Sequence, residues 1–158
     1  MTENTVAIIV PAYKAETTLP ATLRSVLAQT YPHWEVYLVA DDGADYEAFL
    51  AASGLRDPRF RFLNSGGIGR GASNARNVAL EALTTPYAAI LDADDRFKPD
   101  KLARAVAALE HHAIVTCASS ATGPTVSCAP ASTSLSAFRW IRCWSGIGAR
   151  PMAVTTRP

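Results

Sequence analysis

Three carboxylates close a single apolar run: "PYAAILDADD", residues 86–95, ends in Asp92, Asp94 and Asp95. Like charges that close repel one another unless water screens them or a cation stands between them. Asp92 and Asp94 are two residues apart and fall on one side of an extended chain. Such all-oxygen ligands suit Mg²⁺ or Mn²⁺, ions commonly held by one or two carboxylates together with a substrate's phosphates. A cation there neutralises charge developing on a diphosphate leaving group. The preceding run, Tyr87 to Leu91, has the composition of a fully buried strand, which disfavours a merely solvated turn.

Other segments offer weaker chemistry. "GGIGRGASNARN" (66–77) is glycine-rich and leads into a helical pattern, and such loops can cradle phosphate on backbone N–H groups. It contains neither G-x-G-x-x-G nor G-x-x-x-x-G-K-[ST], and it follows strand three rather than strand one, which argues against a dinucleotide site and against a P-loop. Two readings stay open: a flexible connection, or a mobile lid with Arg76 turned toward an anion. Asp41-Asp42-Gly43 is ordinary turn chemistry, yet its carboxylates could equally accept N–H groups of a base or hydroxyls of a sugar. Tyr13 is either a core aromatic or a ring on which a planar ligand stacks. Glu16 alone reads as a solvated charge, and His33, His111 and His112 as surface residues.

The elements that must position these residues alternate. "VAIIV" (6–10) is a strand stopped by Pro11. Leu19, Leu23, Val26 and Leu27 form one helical stripe, with Thr17 or Thr18 as cap and Pro20 in the first turn. "EVYLVA" (35–40) is a second strand, and 45–54 a helix between an Asp45 N-cap and Gly54. "RFRFLN" (59–64) is strand three, and 73–83 a helix with Ala75, Val78, Ala79 and Leu83 inward. Strand four is "YAAIL", a helix runs from Pro99 to His111, and "AIVTC" (113–117) makes strand five. This alternation predicts an α/β fold, a mostly parallel sheet flanked by helices. In such sheets ligands bind beyond the carboxyl ends of the strands, where Tyr13, Asp41, Asp42 and the Asp92 cluster all fall.

At 158 residues, 49% hydrophobic and 18% charged, the chain has the size and composition of one soluble globular domain. No stretch reaches the roughly 18 apolar residues that span a bilayer. The N-terminus lacks the features of a secretory signal, so the expected compartment is the cytoplasm. Cys117, Cys128 and Cys143 have neither metal-ligand spacing nor an even disulfide count. The net charge of +1 conceals a division. Residues 119–158 hold Arg139, Arg142, Arg150 and Arg157 with no lysine, aspartate or glutamate, leaving 11 basic and 14 acidic groups in the first 118. That net −3 gives no electrostatic footprint for nucleic acid. The acid-free stretch has no sustained period, and it reads either as a disordered Ser/Ala/Thr-rich tail or as a GC-rich gene read out of frame. On both readings residues 119–158 form an atypical tail outside the sheet, and the domain is residues 1–118.

Taken together, "VAIIVPAYKAETTLPATLRSVLAQTYPHWEVYLVADDGA", "ASNARNVAL" and "YAAILDADDRFKPDKL" resemble the family 2 glycosyltransferases over about residues 5 to 116. The resemblance implies a GT-A (Rossmann-like) fold, a nucleotide-sugar donor such as a UDP-sugar, and a divalent metal, Mn or Mg. By it, Pro11, Ala12 and Tyr13 line the nucleotide base, with Glu16 the acid that follows. One of Asp41 and Asp42 binds the uracil or its neighbouring groups, and Arg76 lies near the donor. Asp92 and Asp94 match the DxD pair addressing ribose and metal, with Asp95 the adjacent carboxylate.

One departure stands out. In the family the sheet continues into an acceptor-binding half, which supplies an Asp or Glu as general base for inverting transfer. No Asp or Glu follows Glu110 in this sequence. The expected fold is therefore incomplete at its C-terminal side. The expected function is glycosyl transfer to a glycan, lipid-linked or protein acceptor, working in the cytoplasm or at the inner membrane face. The alternative is an inactive nucleotide-sugar-binding module. A sugar nucleotidyltransferase would need a Gly-rich loop directly after strand one, and "PAYKAETT" has no glycine.

Overall fold

The computed structural model describes residues 4–110 together with backbone strands at 114–118, 128–130 and 139–144. The elements run β1 (Val6–Ala12), α1 (Leu19–Leu27), β2 (Trp34–Ala40), α2 (Tyr46–Ala52), β3 (Phe60–Asn64), α3 (Ala72–Ala82), β4 (Tyr87–Ile90), α4 (Lys101–Leu109), β5 (Ile114–Ala118), β6 (Cys128–Pro130) and β7 (Arg139–Trp144). One sheet has the order β3-β2-β1-β4-β7-β5-β6. Every pairing is parallel except β5 with β6.

Alternation along β1 sends its side chains to two cores. Val6, Ile8 and Val10 join Leu38, Leu23 and Val26 of α1, Leu50 of α2 and Leu102 of α4 on one face. Ala7 and Ile9 join Tyr37, Val39, Ala75 and Ala79 on the other, beneath α3. Helices therefore cover both faces, as the chain's alternation predicts. Leu19, Leu23 and Val26 are fully buried, but Leu27 is exposed. It sits in the last turn of α1, beyond the stripe that touches the sheet.

Two expectations about strands are corrected. Pro11 does not stop β1, because Pro11 pairs in register with Val39 and Ala12 with Ala40. Carbonyls alternate sides: Ile9 accepts from Leu91 toward β4, and Ala12 accepts from Asp41 toward β2. The missing N–H of Pro11 thus faces the β4 side, past the last paired residue there, Ile9 with Ile90. No ladder bond is lost. The second concerns residues 119–158, where the two described segments, β6 and β7, are strands of the sheet. β4 would otherwise leave a row of backbone groups unpaired along one edge, and "RWIRCW" is rich in strand-forming residues. The rest of 119–158 lies outside the described residues, as do His111 and His112. The register also sets Cys117 opposite Cys128 and Cys143.

No helix among the described residues is long and apolar enough to cross a membrane.

Candidate functional site

The carboxyl ends of β1, β2, β3 and β4 form one edge, and each delivers a loop there. The two aspartates after β2 divide their work. Asp41 is 3% exposed, and its carboxylate is consumed by the protein. Its Oδ1 accepts from Ser65 Oγ (2.5 Å) and the Arg70 amide (3.0 Å), and its Oδ2 accepts from the Gly71 amide (2.7 Å). The Ser65 hydroxyl, with the two amides, holds the Asp41 pKa below the usual carboxylate range despite burial. Asp41 therefore pins both ends of the glycine-rich loop. Asn74 Nδ2, donating to the Ser65 carbonyl at 2.9 Å, ties the same loop to α3.

Asp42 is half-buried and faces β1. Its Oδ2 accepts from the Lys14 amide (2.5 Å) and Tyr46 Oη (2.7 Å), and its Oδ1 accepts from the Ala44 amide (3.0 Å). Burial would raise the Asp42 pKa, but these donors outweigh it and the net shift is downward. Tyr46 is 2% exposed and bridges two loops, since its oxygen also accepts from the Ala15 amide at 3.0 Å. Burial foremost, with the Asp42 and Glu16 charges, pushes its phenol well above the ordinary tyrosine value. A carboxylate oxygen accepts about two hydrogen bonds, so Asp42 Oδ1 keeps capacity that the buried Asp41 cannot offer a ligand.

The acid cluster projects because its neighbours are anchored. Ala93 is buried, and its carbonyl accepts from Thr22 Oγ1 of α1 at 2.8 Å. Phe97 is buried, and its amide donates to Ser25 Oγ at 3.0 Å. Between these anchors Asp95 N–H closes a turn on the Asp92 carbonyl at 3.0 Å, leaving Asp92 and Asp95 half-buried and Asp94 exposed. Asp92 Oδ1 accepts from Arg76 Nη2 at 2.6 Å, which brings α3 to the cluster. With side chains 28% and 44% exposed, this pair is worth about 1 kcal/mol or less and can open for a ligand. Arg76 Nε is buried with no acceptor. An unsatisfied buried donor costs roughly 1–3 kcal/mol, which favours an anionic partner arriving beside it.

Among the described residues no three or more His, Cys, Asp or Glu side chains are arranged to hold a metal ion by themselves. The protein here offers a hard cation at most the Asp92 and Asp94 oxygens. That donor set fits Mn²⁺ or Mg²⁺ held jointly with a ligand's phosphates, and does not fit an all-protein metal cage.

The remaining expected residues fall into place around these. Ala12 is buried and contributes its carbonyl rather than its methyl, Pro11 is half-buried, and Glu16 is exposed. Tyr13 stands 50% exposed at the end of β1, and Ile68, at the tip of the glycine-rich loop, 74% exposed. Tyr46, Ser65 and Lys14 escape sequence reasoning. Tyr46 reads as an ordinary helix start, and no spacing signals a hydroxyl reaching across two loops.

The model of "Glycosyl transferase family 2" matches residues 7–142, from β1 into β7. The chain belongs to glycosyl transferase family 2. Among its curated relatives in the family, the UDP-Glc:alpha-D-GlcNAc-diphosphoundecaprenol beta-1,3-glucosyltransferase WfgD of Escherichia coli is 38% identical over 102 residues, 65% of this chain and 40% of WfgD. The succinoglycan biosynthesis protein ExoO of Rhizobium meliloti is 36% identical over 101 residues, 64% of this chain and 28% of ExoO. The chain thus spans well under half the length of these relatives.

Solved structures agree on the fold. TarS 1-349 of S. aureus aligns with TM-score 0.65 and 22% identity over 78% of this chain and 38% of that one. The mannosyltransferase PcManGT of Pyrobaculum calidifontis, solved with GDP-Man and Mn²⁺, aligns with TM-score 0.62 and 26% identity over 75% of this chain and 36% of that one. The GT-A expectation holds.

Proposed function

We propose that this chain is the donor-binding portion of an inverting glycosyltransferase that takes a UDP-sugar together with Mn²⁺ or Mg²⁺. The observation carrying this is the Arg76–Asp92 pair at the carboxyl edge of the sheet, with Arg76 Nε unspent and Asp94 open beside it. A dianionic diphosphate has a cationic partner in Arg76. Asp94 and Asp92 would hold the divalent ion, which supplies positive charge to the departing diphosphate.

Asp42 is the base-reading carboxylate in this proposal. Its free Oδ1 capacity accepts the imino N–H of uracil, while cytosine would present a lone pair there and be repelled. Tyr13 offers the half-exposed ring on which the base stacks. The donor of WfgD, UDP-Glc, supports a uridine nucleotide, and its lipid-linked acceptor supports work at a membrane face. In the transfer, the acceptor oxygen attacks the anomeric carbon from the side opposite the diphosphate. The carbon–diphosphate bond breaks, and a general base takes the hydroxyl proton. No carboxylate after Glu110 is available for that last role in this sequence.

The alternative is a module that binds donor and transfers nothing. Calorimetry with UDP-glucose and Mn²⁺, followed by an assay for glucose transfer to an undecaprenyl-diphosphate glycan with release of UDP, separates the two. Binding with release supports transfer, and binding without release supports the module. Absence of binding contradicts both.

A further inference from the structure

Lys14 holds a left-handed backbone, φ 49°, although it is not glycine. Such conformations are strained for an L side chain, and they concentrate at ligand sites. Two contacts go with this one. The Lys14 amide donates to Asp42 Oδ2 at 2.5 Å, and Asp42 is itself fixed by Tyr46. The Lys14 ammonium stands 5.4 Å from the centroid of the Tyr13 ring, a cation–π distance. Glycine would make the same turn without strain, so what lysine adds is its side chain.

We propose that Lys14 is a donor-positioning residue: its ammonium backs one face of the Tyr13 ring and directs a stacking nucleobase to the other face. The proposal rests on the reading of this edge as a uridine-nucleotide site. The strained backbone is what makes the geometry specific. Turned left-handed, Lys14 brings its amide to Asp42 and its side chain back over the preceding residue, so one residue sets both the hydrogen-bonding and the stacking partner of the base. Tyr13 is half-exposed and would otherwise offer either face. With one face taken, a single orientation of the nucleotide remains.

The test uses the full chain, Mn²⁺, and two probes, UDP and inorganic pyrophosphate, with Lys14→Gly and Lys14→Met. Lys14→Gly should melt no lower than the parent, because backbone strain is relieved. Both variants should bind UDP about 2- to 5-fold more weakly, the scale of one exposed cation–π contact. Pyrophosphate, which has no base, should bind each variant as it binds the parent. Equal losses for UDP and pyrophosphate would make Lys14 a phosphate charge and overturn the proposal. So would unchanged UDP binding, or a Lys14→Gly protein that is both weaker-binding and less stable. A parent chain that binds pyrophosphate but not UDP would fail differently, sinking the uridine-site reading itself.

Discussion

Replacing Tyr46 by Phe removes one oxygen and keeps the buried ring, so its effect isolates the bridge between the β1 and β2 loops. The lost oxygen donates to a charged acceptor, Asp42 Oδ2, at 2.7 Å and accepts from the buried Ala15 amide at 3.0 Å. A hydrogen bond to a charged group is worth about 1.5–3 kcal/mol. Asp42 is only half-buried, so water recovers part of this and the lower end applies. The Ala15 N–H has no such recourse, and orphaning a buried donor costs another ~1–3 kcal/mol. The total is about 3 kcal/mol. For a chain of 158 residues that corresponds to a fall in Tm of roughly 6–12 °C, at about 2–4 °C per kcal/mol. Thermal unfolding followed by circular dichroism measures it directly. The UDP affinity should fall as well, because Asp42 loses one of its three donors. A Tyr46→Phe protein melting within about 2 °C of the parent would show that the phenol does not hold these loops together.

Acid should weaken the fold through Asp41 and Asp42. Both have folded-state pKa values below their unfolded ones, so their contribution is complete above the unfolded value, about 3.9, and is lost as pH falls through the folded values. Urea midpoints should therefore be flat near neutrality and drop below about pH 4, and Asp41→Asn should flatten that drop. Limited trypsin digestion addresses β7. Lying between β4 and β5, Arg139 and Arg142 should resist cleavage under native conditions. Rapid cutting at both would instead favour a tail separate from the sheet.

Much of the fold was legible because periodicity reports burial. The stripe of Leu19, Leu23 and Val26 and the β-branched runs of β1 and β2 each announce a face that must be covered. Pro11 misled because its local rule ignores which side of a strand is paired, and that depends on where β4 ends. Residues 139–144 misled because composition is averaged over forty residues, whereas a strand needs only six and an open edge to pair with. Within the site, the charged residues were legible by type and by their place after strands. Their division of labour was not. Asp41 and Asp42 are chemically identical neighbours, and only the three-dimensional paths of the Ser65–Gly71 loop and of Tyr46 make one a buried internal anchor and leave the other half-buried at the sheet's edge. The Lys14 conformation is likewise invisible to propensity, since lysine has no preference for it.

Calorimetric titration of UDP, with Mn²⁺ and with chelator, on the parent and on Asp94→Asn tests the donor site most directly. Without metal, Asp92, Asp94 and Asp95 face a polyanionic ligand with Arg76 as the opposing charge, and binding should be weak. Mn²⁺ should strengthen it in the parent. Asp94→Asn keeps the side chain's shape but removes a charged ligand, so the Mn²⁺-dependent affinity should fall about 10-fold or more, at least ~1.4 kcal/mol. Equal UDP binding with Mn²⁺ and with chelator, or an Asp94→Asn protein that binds like the parent, would mean that the strand ends in a solvated turn.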